Sequence, residues 1–168
     1  MPLSMHQISA PVFIQGLTGL SGVLDKAMAY AAEKKIEPAA LLQARLFPDM
    51  LSFTRQVQVA CDFAKGAAGR LAQDDFPAWE DTETSLEELK ARVDRTIAYV
   101  RSLDAARFDG AEDREVSLVR RGETKTFPAS AYLLEQALPN FYFHITTAYA
   151  ILRHNGVEIG KRDFLGAK

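Results

Sequence analysis

The most apolar stretch of the chain, residues 127–155, contains two polar residues that could do chemistry. Asn140 and His144 are four residues apart, so on a helix their side chains leave the same face one turn apart. At 100° per residue, His144 falls inside the apolar arc and Asn140 at its edge. Burying such a pair without partners costs about 1–3 kcal/mol per group. His144 is therefore either a ligand or general base in a pocket, or a core histidine bonded to Asn140, Gln56 or a backbone carbonyl.

Four other residues could contribute to a site. Gln56 lies within the apolar arc of an earlier helix. His6 would supply a second imidazole if the first helix extends back to the N-terminus, although a surface or interface role is favoured there. His154 falls near the end of the last helix, where a cation favours the helix C-terminus. Cys61 has no neighbouring histidine and is typical of a buried, unreactive thiol.

Composition excludes several classes of function. The chain has 168 residues, 48% hydrophobic and 25% charged, which is typical of one soluble domain. A net charge of −2 without a basic block argues against a nucleic-acid-binding protein. The apolar runs are shorter than a membrane span requires, and we find no signal-peptide pattern. A single cysteine is typical of a reducing compartment, so we predict a cytoplasmic protein without nucleic-acid or membrane partners.

Helical periodicity predicts the elements that position these residues. Apolar residues at helical spacing run through residues 4–35 and 49–73, with Pro48 in the first turn of the second helix. A third helix is capped by Thr84 or Ser85, and the final helix opens at Pro128, is kinked at Pro139 and ends at Asn155-Gly156. Three glycines in the first helix predict close helix packing. We expect Asp62 and the acidic run 74–83 to be solvated.

The helical period disappears between the third and final helices. Residues 116–119 favour a β-strand, Arg121-Gly122 favours a turn, and residues 124–127 could pair back as a hairpin. The tail after Gly156 is too short for another long helix and is expected to fold back on the surface. The predicted fold is a single all-α domain over residues 1–168, a four-helix bundle with a short β-hairpin between the third and fourth long helices.

Three strings in this arrangement resemble the DinB-like superfamily of four-helix bundles, and more closely an uncharacterised bacterial family within it. They are SMHQISAPVFIQGLTGLSGVLDKA (4–27), FPDMLSFTRQVQVACDFAKGAAGRL (47–71) and LPNFYFHITTAYAILRHNGVEIGKRDFLG (138–166). The resemblance covers nearly the whole chain. It implies the fold, whereas no activity is established for that family.

The resemblance also implies where a metal would bind. DinB-like proteins typically hold a divalent metal with one histidine on the second helix and a pair of histidines four residues apart on the fourth. His144 matches the second histidine of that pair, but Asn140 occupies the first position and Gln56 the position on the second helix. One imidazole and two amides are a poor ligand set for a transition metal. The site implied by the resemblance is therefore degenerate.

Three hypotheses for function remain at the level of sequence. The first is a non-catalytic or small-ligand-binding bundle that needs no cofactor. The second is a metal-dependent thiol transferase or hydrolase with zinc or nickel in a site rebuilt around His144, His6 and Gln56. The third is a structural partner protein that acts through its helical faces. Exposed aromatic residues on the last helix, with the resemblance, predict a homodimer in each case.

Overall fold

The computed structural model describes residues 3–120 and 122–166 and is mainly helical. The helices in chain order are α1 (Ala10–Lys34), α2 (Pro38–Leu42), α3 (Phe53–Ala72), α4 (Leu86–Ser102), α5 (Ala129–Ala131), α6 (Leu138–His154) and α7 (Lys161–Phe164). Two 3-10 turns, Ala105–Phe108 and Ala111–Asp113, follow α4, and a π-helical turn, Tyr132–Ala137, joins α5 to α6. Strands β1 (Glu115–Arg120) and β2 (Glu123–Pro128) form an antiparallel hairpin.

The four long helices close around one hydrophobic core. Helix α1 packs mainly on α4, and α3 packs on both α6 and α4. The ends of α3 and α4 meet where the Tyr99 hydroxyl donates to Asp74 at 2.8 Å, so these two helices run parallel. The segment 73–85 between them must therefore travel the length of the bundle. This arrangement confirms the predicted four-helix bundle with a hairpin before its last long helix.

The structure decides between a start and a bend of the first helix at Pro11, and it corrects the predicted start of the next long helix. Helix α1 begins at Ala10 with Pro11 in its first turn, so it does not extend back to His6. Helix α3 begins at Phe53 and not at Asp49. Residues 48–52 instead form a turn that precedes the helix, and the Phe53 N–H donates to a carbonyl of the segment after α2.

The predicted cap of the third helix is confirmed. Ser85 is the N-cap of α4, and its hydroxyl accepts a hydrogen bond from the Glu88 N–H at 3.1 Å. The Glu88 carboxylate in turn accepts from the Thr84 N–H at 2.6 Å. These bonds satisfy backbone donors that a helix start leaves without partners.

The glycines of α1 permit close packing at two of three positions. A Cβ on Gly16 would lie 2.7 Å from the Phe141 ring, and one on Gly19 would overlap the carbonyl oxygen of Phe164 in α7. A Cβ on Gly22 would meet nothing within 4 Å. Close approach therefore explains the first two glycines and docks the C-terminal turn on α1, as expected for a tail that folds back.

The predicted kink near Pro139 takes the form of a π-helical turn. Proline has no N–H to donate within a helix, and its ring crowds the carbonyl one turn earlier. The turn at Tyr132–Ala137 directly precedes it, and the Leu138 N–H bonds back to the Leu133 carbonyl. In the hairpin, Gly122 has a φ of 81°, which favours glycine. Its predicted neighbour in that turn, Arg121, lies outside the described residues.

Candidate functional site

The first turn of α3 and the middle of α6 bring Gln56 and His144 together. The His144 Nδ1 lies 2.7 Å from the Gln56 Oε1, and both side chains are buried. The Gln56 Nε2 donates to the Leu51 carbonyl at 3.2 Å. Sequence reasoning named both residues as site candidates, and the structure shows that they touch across the α3–α6 contact.

The two bonds of Gln56 determine the protonation of the histidine. Since the amide nitrogen faces the Leu51 carbonyl, the amide oxygen must face His144 and can only accept. The His144 Nδ1 is therefore the protonated ring nitrogen. Burial lowers the pKa of His144 below its ordinary value of 6.5, which favours the neutral ring with its lone pair on Nε2.

Two aromatic rings enclose this imidazole. Phe63, two turns after Gln56 on α3, stacks on the His144 ring with centroids 5.8 Å apart and 18° between the planes. The Phe143 ring meets it edge-on at 5.2 Å. Only 8% of His144 remains exposed to solvent. The ring is thus held on two sides by apolar surface and at Nδ1 by one hydrogen bond.

The other sequence candidates lie elsewhere. The Asn140 amide donates to the Gln136 carbonyl of its own helical segment at 2.6 Å. The His6 ring packs edge-on against Phe108 at 5.1 Å, next to the turn that follows α4. Neither residue is brought to the Gln56–His144 pair by a hydrogen bond or a ring contact among the described residues.

A divalent metal does not fit this group of residues. The Gln56 oxygen already accepts from the imidazole, and the Asn140 amide is bonded within its own helix. One imidazole nitrogen and one amide oxygen are left, whereas a transition metal in a protein takes several imidazole, thiolate or carboxylate ligands. Within residues 3–120 and 122–166, no three His, Cys, Asp or Glu side chains are grouped to hold a metal ion.

Comparison with known proteins gives one matching family and a similar solved structure. The family described as Domain of unknown function (DUF1993) matches residues 5–165. The chain belongs to the DUF1993 family. A crystal structure of a DinB family member protein from Shewanella denitrificans is similar over 98% of this chain and 93% of that one, with 40% identity and a TM-score of 0.91. Comparison with curated proteins gives no match.

Two further candidates in this DUF1993 chain have local structural explanations. Burial raises the pKa of the Cys61 thiol to about 12, against the opposing effects of the Thr96 side chain and the Arg92 charge. The thiol therefore stays protonated at neutral pH and is a poor nucleophile. His154 is exposed and ends α6, next to Arg153, as expected for a cation at a helix C-terminus.

Sequence reasoning missed a buried ionic cluster between α3, α4 and the segment 73–85. The Arg92 side chain is fully buried and lies 3.1 Å from Asp62, 2.9 Å from Asp81 and 3.0 Å from Glu83. The Gln58 amide donates to Glu83 at 2.8 Å. Burial alone raises the pKa of Glu83, but the hydrogen bonds from Gln58 and Arg92 outweigh it and keep that pKa below its ordinary value.

The cluster corrects two expectations. Asp62 is an ion-pair partner of Arg92 and of the buried Lys65, and is not simply solvated. The acidic run is anchored at its end by Glu83, whose side chain is only 8% exposed. A signal existed in the sequence, because Arg92 follows Leu89 by three residues and so lies beside the apolar stripe of α4.

A cleft lies beside Phe63, the residue whose ring stacks on the His144 imidazole. It has a volume of about 500 Å³ and lies between α3, β1 and Tyr132 at the start of the π-helical turn. Its walls combine apolar side chains with Asp62 and Arg70. Phe63 thus contacts the Gln56–His144 pair and also lines an open space large enough for a small molecule.

Proposed function

We propose that this DUF1993 protein is a non-catalytic, small-ligand-binding bundle in which a neutral polar pair has replaced the metal ligands of DinB-like proteins. The observation that carries the proposal is the hydrogen bond between the His144 Nδ1 and the Gln56 Oε1. It joins the two helix positions that the resemblance assigns to metal ligands.

The chemistry of the pair supports a structural role for it. Each buried polar group that the bond satisfies would otherwise cost about 1–3 kcal/mol. The amide of Gln56 is held at both ends, by the Leu51 carbonyl and by the imidazole. A metal would have to replace these bonds with ligands that the neighbouring residues do not supply. The pair therefore closes the core where a metal-dependent enzyme would keep an open coordination position.

The cleft beside Phe63 supports the binding part of the proposal. Its volume of about 500 Å³ is in the usual range for a small-molecule site. It is lined by a mixture of apolar and charged groups, as ligand sites usually are. Because Phe63 contacts both the cleft and His144, a bound molecule would rest against the position of the former metal site.

Metal analysis of the purified protein tests the proposal. We expect less than stoichiometric zinc or nickel after purification without added metal, and no saturable uptake on titration with either ion. His144→Ala should leave the metal content unchanged, because the imidazole is not a ligand. His154→Ala is the matched control, since His154 is an exposed histidine on the same helix.

The alternative function predicts the opposite result. Stoichiometric zinc or nickel that is lost in His144→Ala but retained in His154→Ala would contradict the proposal. It would instead favour a metal-dependent thiol transferase or hydrolase with a site rebuilt around His144. A test with His6→Ala would then show whether the second imidazole takes part.

A homodimer is also part of the proposal. Phe47, Leu51 and Phe143 expose apolar surface, and the last two flank the Gln56–His144 contact. Light scattering should give twice the mass of the chain for the wild type, and Phe143→Ser should shift it toward the monomer. A monomeric wild type would contradict this part.

The described helices include none with the length and apolar character that a membrane span requires.

A further inference from the structure

We infer that the cleft beside Phe63 binds small monocarboxylates with an apolar body, and that Arg70 recognises their carboxylate. The inference rests on the proposed ligand-binding function and names its site and ligand class. The cleft lies between α3 and β1, and its apolar wall consists of Phe63, Leu118 and Val119. The charged groups among its described lining residues are Arg70 and Asp62.

Arg70 offers a guanidinium without a carboxylate partner. Its Nη1 lies 3.4 Å from the Tyr132 hydroxyl, and its head stacks on the Phe76 ring at 4.8 Å. No carboxylate of the described residues lies within salt-bridge distance of it. Arg55 on the same helix, by contrast, pairs with Asp81. A half-buried guanidinium that keeps donors available is suited to bind a planar carboxylate with two hydrogen bonds.

A glycine allows the guanidinium to lie close to the helix. A Cβ on Gly66 would come 2.5 Å from the Arg70 Nη1, so the side chain folds back over the preceding turn. The Phe76 ring holds it from another side, and Gly69 leaves the room for that ring. The charged head is therefore placed in the cleft by packing rather than left free in solvent.

The charges of the cleft favour a monoanion. Arg70 supplies one positive charge, whereas Asp62 lies two turns before it on α3 and brings a negative one. The Asp62 carboxylate is already paired with two cations, Arg92 at 3.1 Å and Lys65 at 3.3 Å. Arg70 is the only cation among the described residues that line the cleft, so a second negative charge on the ligand would find no partner among them. A single carboxylate on an apolar body matches both the charge and the wall.

Titration with 3-phenylpropionate, with its amide as the neutral analogue, tests the inference on the full chain. We expect the acid to bind and the amide to bind about tenfold more weakly or not at all, because a neutral amide forms no ion pair with the guanidinium. Because Phe63 lines the cleft and stacks on His144, NMR signals of the His144 ring should shift during the titration. Arg70→Gln should weaken binding of the acid by about tenfold or more, and Arg70→Lys by less.

Arg55→Gln is the matched control, since it removes an arginine of the same helix outside the cleft and should leave the affinity unchanged. Equal binding of acid and amide to the wild type would overturn the inference, even if the Arg70 variant did not fold. Undiminished binding to a folded Arg70→Gln protein, or no binding of the acid, would also overturn it. Stoichiometric metal at His144 would overturn the proposed function alone, because the anion titration does not depend on metal.

Discussion

At the scale of single residues, the state of His144 follows from burial and one hydrogen bond. Its ring is enclosed by Phe63 and Phe143, and its Nδ1–H donates to Gln56. Charging the ring would place a cation in the core, where burial removes it from water. Burial therefore lowers the pKa of His144 below 6.5, the value for a histidine in the unfolded chain.

This lowered pKa predicts a pH dependence of stability. Below pH 6.5 the unfolded chain binds a proton at His144 more readily than the folded chain does. The contribution of the neutral His144 to the free energy of unfolding is therefore complete above pH 6.5. It is lost as the pH falls through the lower pKa of His144 in the folded chain. A pKa lowered by one pH unit corresponds to about 1.4 kcal/mol. Urea unfolding between pH 7 and pH 5 should show this loss in the wild type and not in His144→Asn.

The variant His144→Asn keeps an N–H donor for Gln56 but does not titrate. His154→Asn is the control, because its histidine is exposed, and should follow the wild type. Four acidic groups also have lowered pKa values, and they lose their contribution at lower pH in all three proteins: Asp74, Glu83, Glu88 and Asp163. If the free energy of unfolding falls equally with pH in the wild type and in His144→Asn, the prediction is contradicted.

At the scale of elements, Arg92 fastens the segment 73–85 to α3 and α4. It bonds the Glu80 carbonyl at 3.0 Å in addition to the carboxylates of Asp81 and Glu83. Its Nε is buried and finds no hydrogen-bond partner among the described residues, which lowers the net gain from the cluster. Arg92 thus holds residues 80–83 of the long connection, together with the bonds from Gln58 and Arg55.

Removal of that cation should destabilise the protein strongly. Arg92→Met leaves Glu83 buried without its ion-pair partner, so we expect a loss of about 3–5 kcal/mol in the free energy of unfolding. Adding Glu83→Gln should recover part of that loss, because it removes the unpaired charge. Arg101→Met, at an exposed site near the end of the same helix, should change the value by about 0.5 kcal/mol or less. Urea unfolding of the wild type and the three variants measures these differences. Similar losses in Arg92→Met and Arg101→Met would refute the role given to Arg92.

At the scale of the whole molecule, the C-terminal turn closes the bundle through backbone contact with α1. Gly19 lies directly against the carbonyl oxygen of Phe164, and Lys26 pairs with Asp163 at 2.7 Å. The Phe164 ring then packs on Tyr149 of α6. Helix α7 thus joins the first and last long helices although it has only four residues.

Two glycines three residues apart on α1 should respond in opposite directions to alanine. Gly19→Ala forces the backbone of α7 away, so we expect a loss of about 1–3 kcal/mol. Gly22→Ala meets no atom within 4 Å and replaces a helical glycine, so we expect a gain of about 0.5–1 kcal/mol. Thermal unfolding of both variants provides the measurement. Equal effects would mean that α7 does not dock as described.

The sequence predicted the fold because its signals are local. Apolar residues of α4 recur at helical spacing, Ser85 and Glu88 mark its start, and the stripe of Leu86, Leu89 and Val93 is buried as expected. The hairpin was predicted from β-formers beside a turn signal. These signals act within a few residues of each other, so no knowledge of the tertiary structure was needed.

The sequence alone also determined that His144 faces the core. Only the tertiary structure decided which residues meet it, because Gln56 is 88 positions away and Asn140, one turn away, bonds within its own helix. The same holds for Arg92, whose three carboxylate partners come from α3 and the crossing segment. Periodicity gives the face of a helix on which a side chain lies. The partner of a buried polar group depends on which helices pack together and at what height, and that is determined by the assembled core.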